Sequence, residues 1–230
     1  RGLDEVIKKA IRRDIPVVTF DSDAPGSERY MYIGTVNREA GREAGRRGIP
    51  IVLDPVGCGA TRFRTEMSRK LLAELSPAIV RGNASEIAAL AGAAAVTKGV
   101  DSTLATDDTI EMARILSETC HCVVSVSGAT DLIVGDGVVL RVRNGHPLMT
   151  RVTGLGCTAT ALTGAFAAVN PTPLRAAAHA MALMGIAGEI AAERSSGPGS
   201  LQMHFLDVLH GIEESEIRGR LKMEEIPADT

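Results

Sequence analysis

Apolar residues at Leu3, Val6, Ile7, Ala10 and Ile11 recur at helical spacing and predict a helix over residues 3 to 13, which Pro16 ends before a strand, Val17 to Phe20. A polar run from Asp21 to Arg29, carrying Pro25 and Gly26, leads to a second strand, Tyr30 to Gly34, and to a helix from Asn37 to Arg47 closed by Gly48. Ile49 to Leu53 is continuously apolar and runs into Asp54-Pro55, the pattern of a buried parallel strand whose carboxyl end meets a loop. A helix from Arg64 to Leu75, a short strand from Ala78 to Val80 and a helix starting near Ala84 complete a βαβαβ order. A further helix, Asp107 to Thr119, feeds the strand Cys122 to Val126, and Asp131 to Val134 with Val138 to Val142 form a hairpin around Gly135-Asp136-Gly137. The remainder is helical over Cys157 to Val169, Pro173 to Arg194 and Leu201 to Gly211, with a stop at Ser195 to Ser200 and a charged tail. The pattern predicts one α/β domain over residues 1–230 with a mostly parallel sheet.

Composition narrows this picture. Hydrophobic residues make up 45 % of the 230, yet Trp is absent and aromatics are 3 %, so the core is expected to be Ala, Val, Leu, Ile and Met packed as helices on a sheet. A net charge of -3, from 25 basic and 28 acidic residues spread along the chain, argues against nucleic acid or an anionic membrane as partner. No apolar run reaches the roughly 18 residues of a membrane span, since Thr158, Thr160, His179 and Glu189 interrupt the longest ones. Cys58, Cys120, Cys122 and Cys157 sit in a chain large enough to need no staples, so a reducing cytoplasm is the expected location. The first residue is Arg, and no signal peptide precedes the first predicted helix.

Four segments carry candidate chemistry. In Val152-Thr153-Gly154-Leu155-Gly156-Cys157-Thr158 two glycines open a helix, so that amides can converge without a Cβ in the way on the positive end of the helix dipole, as an anion hole requires. Cys157 then stands in the dipole's field, suited to a base for a substrate hydroxyl or to a nucleophile; a buried capping cysteine fits as well. In Arg81-Gly82-Asn83-Ala84-Ser85-Glu86 a planar guanidinium suited to phosphate oxygens precedes a carboxylate able to hold Mg²⁺ through water, and the same residues read as a capping box. Asp54, before Pro55-Val56-Gly57-Cys58-Gly59, either orders metal and phosphate waters or starts a turn, with Cys58 as packing. Ser127-Gly128 offers a hydroxyl and an amide to a nucleotide phosphate, or is plain turn chemistry. Cys120-His121-Cys122 lacks a second ligand pair and reads as a strand start, while His146 and His179 read as loop and helix-face residues.

Taken in order, Ile49-Pro50-Ile51-Val52-Leu53-Asp54-Pro55-Val56-Gly57, the Arg81 to Glu86 run, Lys98-Gly99-Val100-Asp101, Asn144-Gly145-His146-Pro147-Leu148, the Cys157 turn and Gly197-Pro198-Gly199-Ser200 resemble hydroxyethylthiazole kinase over about residues 40–216. The resemblance implies a three-layer ribokinase-like fold, ATP and Mg²⁺, a small-molecule thiazole alcohol as substrate in thiamine salvage, and a homotrimer that shares its thiazole pocket between subunits. It further implies Cys157 as the base, Gly154 and Gly156 as the anion hole with Gly154 beside the substrate, Arg81, Ser127 and Asn83 at ATP, and Glu86 and Asp54 at the metal. Ser127 and Ala129 stand where that family is expected to carry threonine and glutamate. These assignments require the helix amides, Arg81 and Glu86 to face one cavity.

Residues 7–45, including Ile15-Pro16-Val17-Val18-Thr19-Phe20-Asp21-Ser22-Asp23, instead resemble part of a ribose-type periplasmic sugar-binding protein, in which Asp21 would contact a sugar and Asn37 would start the helix crossing between lobes. Ile33 to Gly45 fits either family. The expectation is therefore a chimera whose first strands come from the sugar-binding-like segment and complete the kinase-like sheet. Beside the kinase reading stand a small-molecule (sugar) binding module and an inert recombined scaffold.

Overall fold

The short apolar runs near the start of the chain pair with each other. In the computed structural model, which describes Lys8, Arg12 and residues 18–20, 31–33, 37–92 and 106–227, β1 (Val18–Phe20) lies parallel to β2 (Met31–Ile33) in register Val18↔Met31 and Phe20↔Ile33. Their three-residue ladder is taken up by that mutual pairing. Among the described residues they form a two-stranded sheet of their own, which corrects the expectation that they complete the main sheet. Contacts divide the chain into a unit of Arg1–Glu43 and one of Ala44–Thr230. The predicted first helix, Asp21 and the Lys98 to Asp101 motif lie outside the described residues.

Helix α1 (Asn37–Arg46) ends near the predicted Gly48. In the larger unit come β3 (Val52–Leu53), α2 (Arg62–Leu75), β4 (Ile79–Asn83), α3 (Ala84–Ala91), α4 (Thr106–Cys120), β5 (Val123–Ser127), β6 (Asp131–Gly135) and β7 (Val138–Val142). A 3₁₀ turn, Pro147–Arg151, precedes α5 (Leu155–Val169), α6 (Pro173–Glu193), α7 (Pro198–Gly211), α8 (Glu214–Arg220) and β8 (Met223–Pro227). Gly197 to Ser200 is thus a helix start rather than a stop: Pro198 supplies the first helical residue, and Ser200 Oγ accepts the Gly197 amide at 3.2 Å.

The six-stranded sheet runs β3-β4-β5-β6-β7-β8; the pairs from β3 to β5 are parallel and those from β5 to β8 antiparallel. The sheet is therefore mixed, and the mostly parallel expectation is corrected by two features. The β6–β7 hairpin turns on Asp136 and Gly137, whose φ of 53° and 74° match the right-handed twist of the strands it joins. The tail read as merely charged supplies β8, held to β7 by a ladder from Val142↔Met223 to Val138↔Pro227, with Glu224 paired to Arg143.

Alternation along the strands sorts the core into two faces. Ile79, Val123, Ile133 and Leu140 pack against α5, α6 and α7, while Val80, Val124, Leu132 and Val134 pack against α3 and α4. Layer order is helix, sheet, helix. Helix α6 carries Ala176, Ala177, Ala178, Ala180, Ala187 and Ala191 fully or nearly buried, which is how a core without Trp reaches close packing. Among the described residues no helix is long and apolar enough to cross a membrane.

A close approach to backbone within that layer is at Gly185 of α6, where an added Cβ would stand 2.6 Å from the backbone C and O of Asn144. Gly185→Ala is expected to destabilise the protein by about 1 to 3 kcal/mol through overpacking. The check is a lower urea midpoint at unchanged m-value.

Candidate functional site

Strand parity decides where the site lies. Arg81 has the parity of Ile79 on β4 and so points to the face covered by α5 and α6, while Gly82 faces α3. Ser127, opposite Asn83 at the end of β5, shares that face. The side chains meet there: Arg81 Nη2 donates to Ser127 Oγ at 2.8 Å, Nη1 donates to the Gly156 carbonyl at 3.2 Å, and Nη1 lies 3.5 Å from Asp54 Oδ2. Arg81 is 8 % exposed and its buried Nε has no partner, an unspent donor of the kind an oxyanion satisfies.

Helix α5 starts at Leu155, two residues earlier than predicted, because Gly154 adopts φ 93° as its N-cap and turns the chain into the helix. The first amide with an intrahelical acceptor is that of Thr158, which donates to the Gly154 carbonyl at 3.0 Å. The amides of Leu155, Gly156 and Cys157 thus form the open positive end of the helix. Gly156 is needed for close approach, since a Cβ there would sit 3.3 Å from Arg81 Nη1. Cys157 is a free thiol and exposed, in the first turn. The buried-cap reading of it is corrected, since the residue is exposed.

Two carboxylates border the carboxyl ends of β3 and β4. Asp54 Oδ2 accepts the Thr160 hydroxyl at 2.5 Å, so a residue one turn into α5 ties the Asp54 loop to the helix that carries the open amides. Glu86 closes a capping box with Asn83: Oε2 accepts the Asn83 amide at 3.0 Å, and Asn83 Oδ1 accepts the Glu86 amide at 2.9 Å. Glu86 Oε1 also accepts the Gly57 amide at 2.8 Å, which fixes the glycine loop after Asp54. Among the described residues there is no group of three or more His, Cys, Asp or Glu able to hold a metal ion directly.

Arg81, Ser127, Gly128, Asp131 and Gly156 line one cavity of about 580 Å³, floored by Ala159, Met181 and Met184 and edged by His146 and Thr150. The requirement of a shared cavity is therefore met by Arg81 and the helix mouth and not by Glu86, which stands behind the Gly57 loop. A larger hollow of about 770 Å³ opens at the opposite end of the strands, beside His121, Asp136 and Gly137. Size does not choose between them. The smaller cavity holds the buried cation and the open helix end, and it lies at the carboxyl ends of parallel strands, where α/β sheets bind ligands.

Two residues that hold the site together, Thr160 through Asp54 and Asp131 in the cavity wall, were not legible as site residues. Thr160 is one turn beyond the glycine signature, and only the fold reveals its bond to Asp54. Asp131 begins β6, is 7 % exposed, and accepts the Gly128 amide at 3.0 Å. Burial raises its pKa from 3.8 to about 7, against the lowering effects of the Gly128 amide and of the Arg81 charge. A folded-state value above the unfolded one makes the protonated carboxyl the stabilising form, so this contribution is complete below about pH 4 and is lost as pH rises to about 7. Asp131→Asn is expected to flatten the fall in urea midpoint between pH 5 and pH 8; an unchanged pH slope would contradict it.

The other predicted centres are structural. Cys58 is buried, and Cys122 leads into β5 with its thiol pushed up to about 12 by burial. His146 caps the 3₁₀ turn, its Nδ1 accepting the Leu148 amide at 3.2 Å, and His179 packs edge-on against Phe166.

The sequence profile of the hydroxyethylthiazole kinase family matches residues 30–215. Hydroxyethylthiazole kinase of Syntrophus aciditrophicus is 56 % identical over 185 residues, 80 % of this chain and 68 % of that protein. That of Granulibacter bethesdensis is 53 % identical over 217 residues, 94 % of this chain and 77 % of its own. The hydroxyethylthiazole kinase structure from Pyrococcus horikoshii superposes with a TM-score of 0.75 at 30 % identity, covering 96 % of this chain and 99 % of that one. A pyridoxal kinase from Staphylococcus aureus, at TM-score 0.56 and 18 % identity over 86 % of this chain and 71 % of its own, shares the fold. The architecture is thus ribokinase-like. The matches also reach well into residues 7–45, so the likeness to kinases does not begin at residue 40, and a chimera with a sugar-binding protein is left without support. With a family profile spanning most of its length, relatives above half identity and the glycine-opened helix in place beside Arg81, the chain belongs to the hydroxyethylthiazole kinase family.

Proposed function

We propose that this protein transfers the γ-phosphoryl group of ATP to the hydroxyl of 4-methyl-5-(2-hydroxyethyl)thiazole, a step of thiamine salvage. The observation that carries the reading is the buried Arg81 guanidinium, with an unpartnered Nε, set against the open amides of α5 in a chain of this family. Phosphoryl transfer needs positioning and positive potential more than covalent help, since charge spreads over the equatorial oxygens as the group moves. Arg81, with Ser127 beside it, is placed to hold ATP phosphates, and the amides of Gly156 and Cys157 to receive the moving group.

The substrate hydroxyl oxygen forms the new bond to γ-phosphorus as the β–γ bridging bond breaks, ADP leaves with that electron pair, and the hydroxyl proton passes to Cys157 Sγ acting as the thiolate, which becomes the thiol. Gly154 leaves room for the alcohol at the helix mouth. Mg²⁺, when bound, neutralises charge on the phosphate oxygens. The residues fit it through water rather than directly: Asp54 keeps one carboxylate oxygen unbonded among the described residues, whereas Asn83 and both oxygens of Glu86 are engaged by backbone amides and the α3 cap. We read the protein as cytoplasmic and as a homotrimer.

The test is ADP release by the purified protein with Mg-ATP, with and without the thiazole alcohol, beside calorimetry with Mg-ATP and with ribose. ADP release that depends on the alcohol supports the reading. Binding of ribose without nucleotide would overturn it in favour of a sugar-binding module.

A further inference from the structure

Resting on the kinase reading, we propose that Asp131 is a positioning residue for the nucleotide phosphates, acting through the Gly128 amide on the Ser127 hydroxyl that meets Arg81. Between β5 and β6 the chain reverses within residues 128–130, placing Val126 opposite Leu132. Gly128 is the tight point, since a Cβ there would stand 3.2 Å from the Thr130 carbonyl oxygen. Its amide lies past the last β4 pair, Asn83↔Ser127, and needs an acceptor. Asp131 Oδ1 supplies it at 3.0 Å.

The choice of acid is costly there. A carboxylate buried at the start of a strand loses hydration, and a hydroxyl could serve a turn amide at less cost. Residues that break a local rule in this way cluster at working sites. Here Asp131, Gly128, Ser127 and Arg81 line the same cavity. Ser127 Oγ accepts from Arg81 at 2.8 Å and donates to the Gly82 carbonyl at 3.3 Å, so its position is set by the turn on one side and β4 on the other. Without the acceptor at 131 the turn is released, Ser127 shifts, and Arg81 loses one of the three contacts that aim it at the helix mouth.

The discriminating pair is Asp131→Asn, which keeps an acceptor oxygen, and Asp131→Leu, which keeps the volume without one. Steady-state kinetics with the thiazole alcohol and Mg-ATP are read on the full chain, with folding followed by circular dichroism. For Asp131→Leu the KM for ATP is expected to rise about tenfold, the equivalent of one lost hydrogen bond, with kcat and the KM for the alcohol changed less than about threefold. Asp131→Asn is expected to stay within about threefold throughout. Equal losses in both variants, or an unchanged ATP KM in Asp131→Leu, overturn the assignment. If Asp131→Leu does not fold, Asp131→Asn decides alone: an ATP KM raised beyond about threefold overturns the proposal, and one within that limit supports it. A parent protein that neither binds Mg-ATP nor releases ADP overturns the kinase reading itself, a result distinct from an active parent whose ATP KM is indifferent to residue 131.

Discussion

Replacing Arg81 by methionine is expected to weaken Mg-ATP binding about a hundredfold and to destabilise the fold by about 3 kcal/mol. Both effects come from one side chain. Its guanidinium bonds Ser127 and the Gly156 carbonyl and lies 3.5 Å from Asp54, with the two charged side chains 9 % and 14 % exposed. Methionine fills much of the volume but leaves the largely buried Asp54 without its cation, and breaking a pair this buried costs more than the pair contributes. Lysine is not expected to rescue, because a single ammonium cannot reach a carbonyl, a hydroxyl and a phosphate in the directions a planar fork does. Calorimetry with Mg-ATP and urea denaturation read the two effects separately. An Arg81→Met protein that binds nucleotide within threefold of the parent, about 0.6 kcal/mol, would remove Arg81 from the phosphate site.

Replacing Cys157 by alanine is expected to reduce ATP-dependent phosphorylation of the thiazole alcohol by about two to four orders of magnitude while leaving Mg-ATP affinity within about threefold. The split follows from position. The Cys157 amide, which alanine keeps, belongs to the open end of α5, whereas the exposed thiol is proposed to act only on the hydroxyl proton. Alanine at the third residue of this helix disturbs neither Gly154 nor the Asp54–Thr160 bond, so stability should barely change. Equal rates in the variant and the parent would take the base role from Cys157; a parallel loss of nucleotide affinity would show that the substitution disturbs the helix mouth instead.

The parts of the fold legible in the sequence were those with a local signal. Pro and Gly punctuation, the apolar run into Asp54 and the Gly135-Asp136-Gly137 turn located β3, β4 and the β6–β7 hairpin close to where they lie. Strand β8 was missed because Met223 to Pro227 alternates weakly and contains two glutamates, and its place in the sheet depends on Arg143 and the edge of β7, far away in sequence. Sheet direction was misjudged for a related reason: a hairpin announces its turn but not which edge of a parallel sheet it will join.

The site divides the same way. Arg81, Gly156 and Ser127 sit at strand ends and a helix start that glycine and polar residues mark, and the fold brings them together. Glu86 was legible as a capping acid and stands as one, outside the cavity. Thr160 and Asp131 carry no signature: one is a threonine inside a helix, the other an acid opening an apolar strand. Their partners at Asp54 and Gly128 appear only after the chain has folded.

The most direct test of the account is a crystal structure with Mg²⁺ and a non-hydrolysable ATP analogue. The terminal phosphate is predicted at the amides of Gly156 and Cys157 with Arg81 Nε or Nη turned to its oxygens. Phosphates found instead in the hollow beside His121 and Gly137, at the other end of the strands, would contradict it.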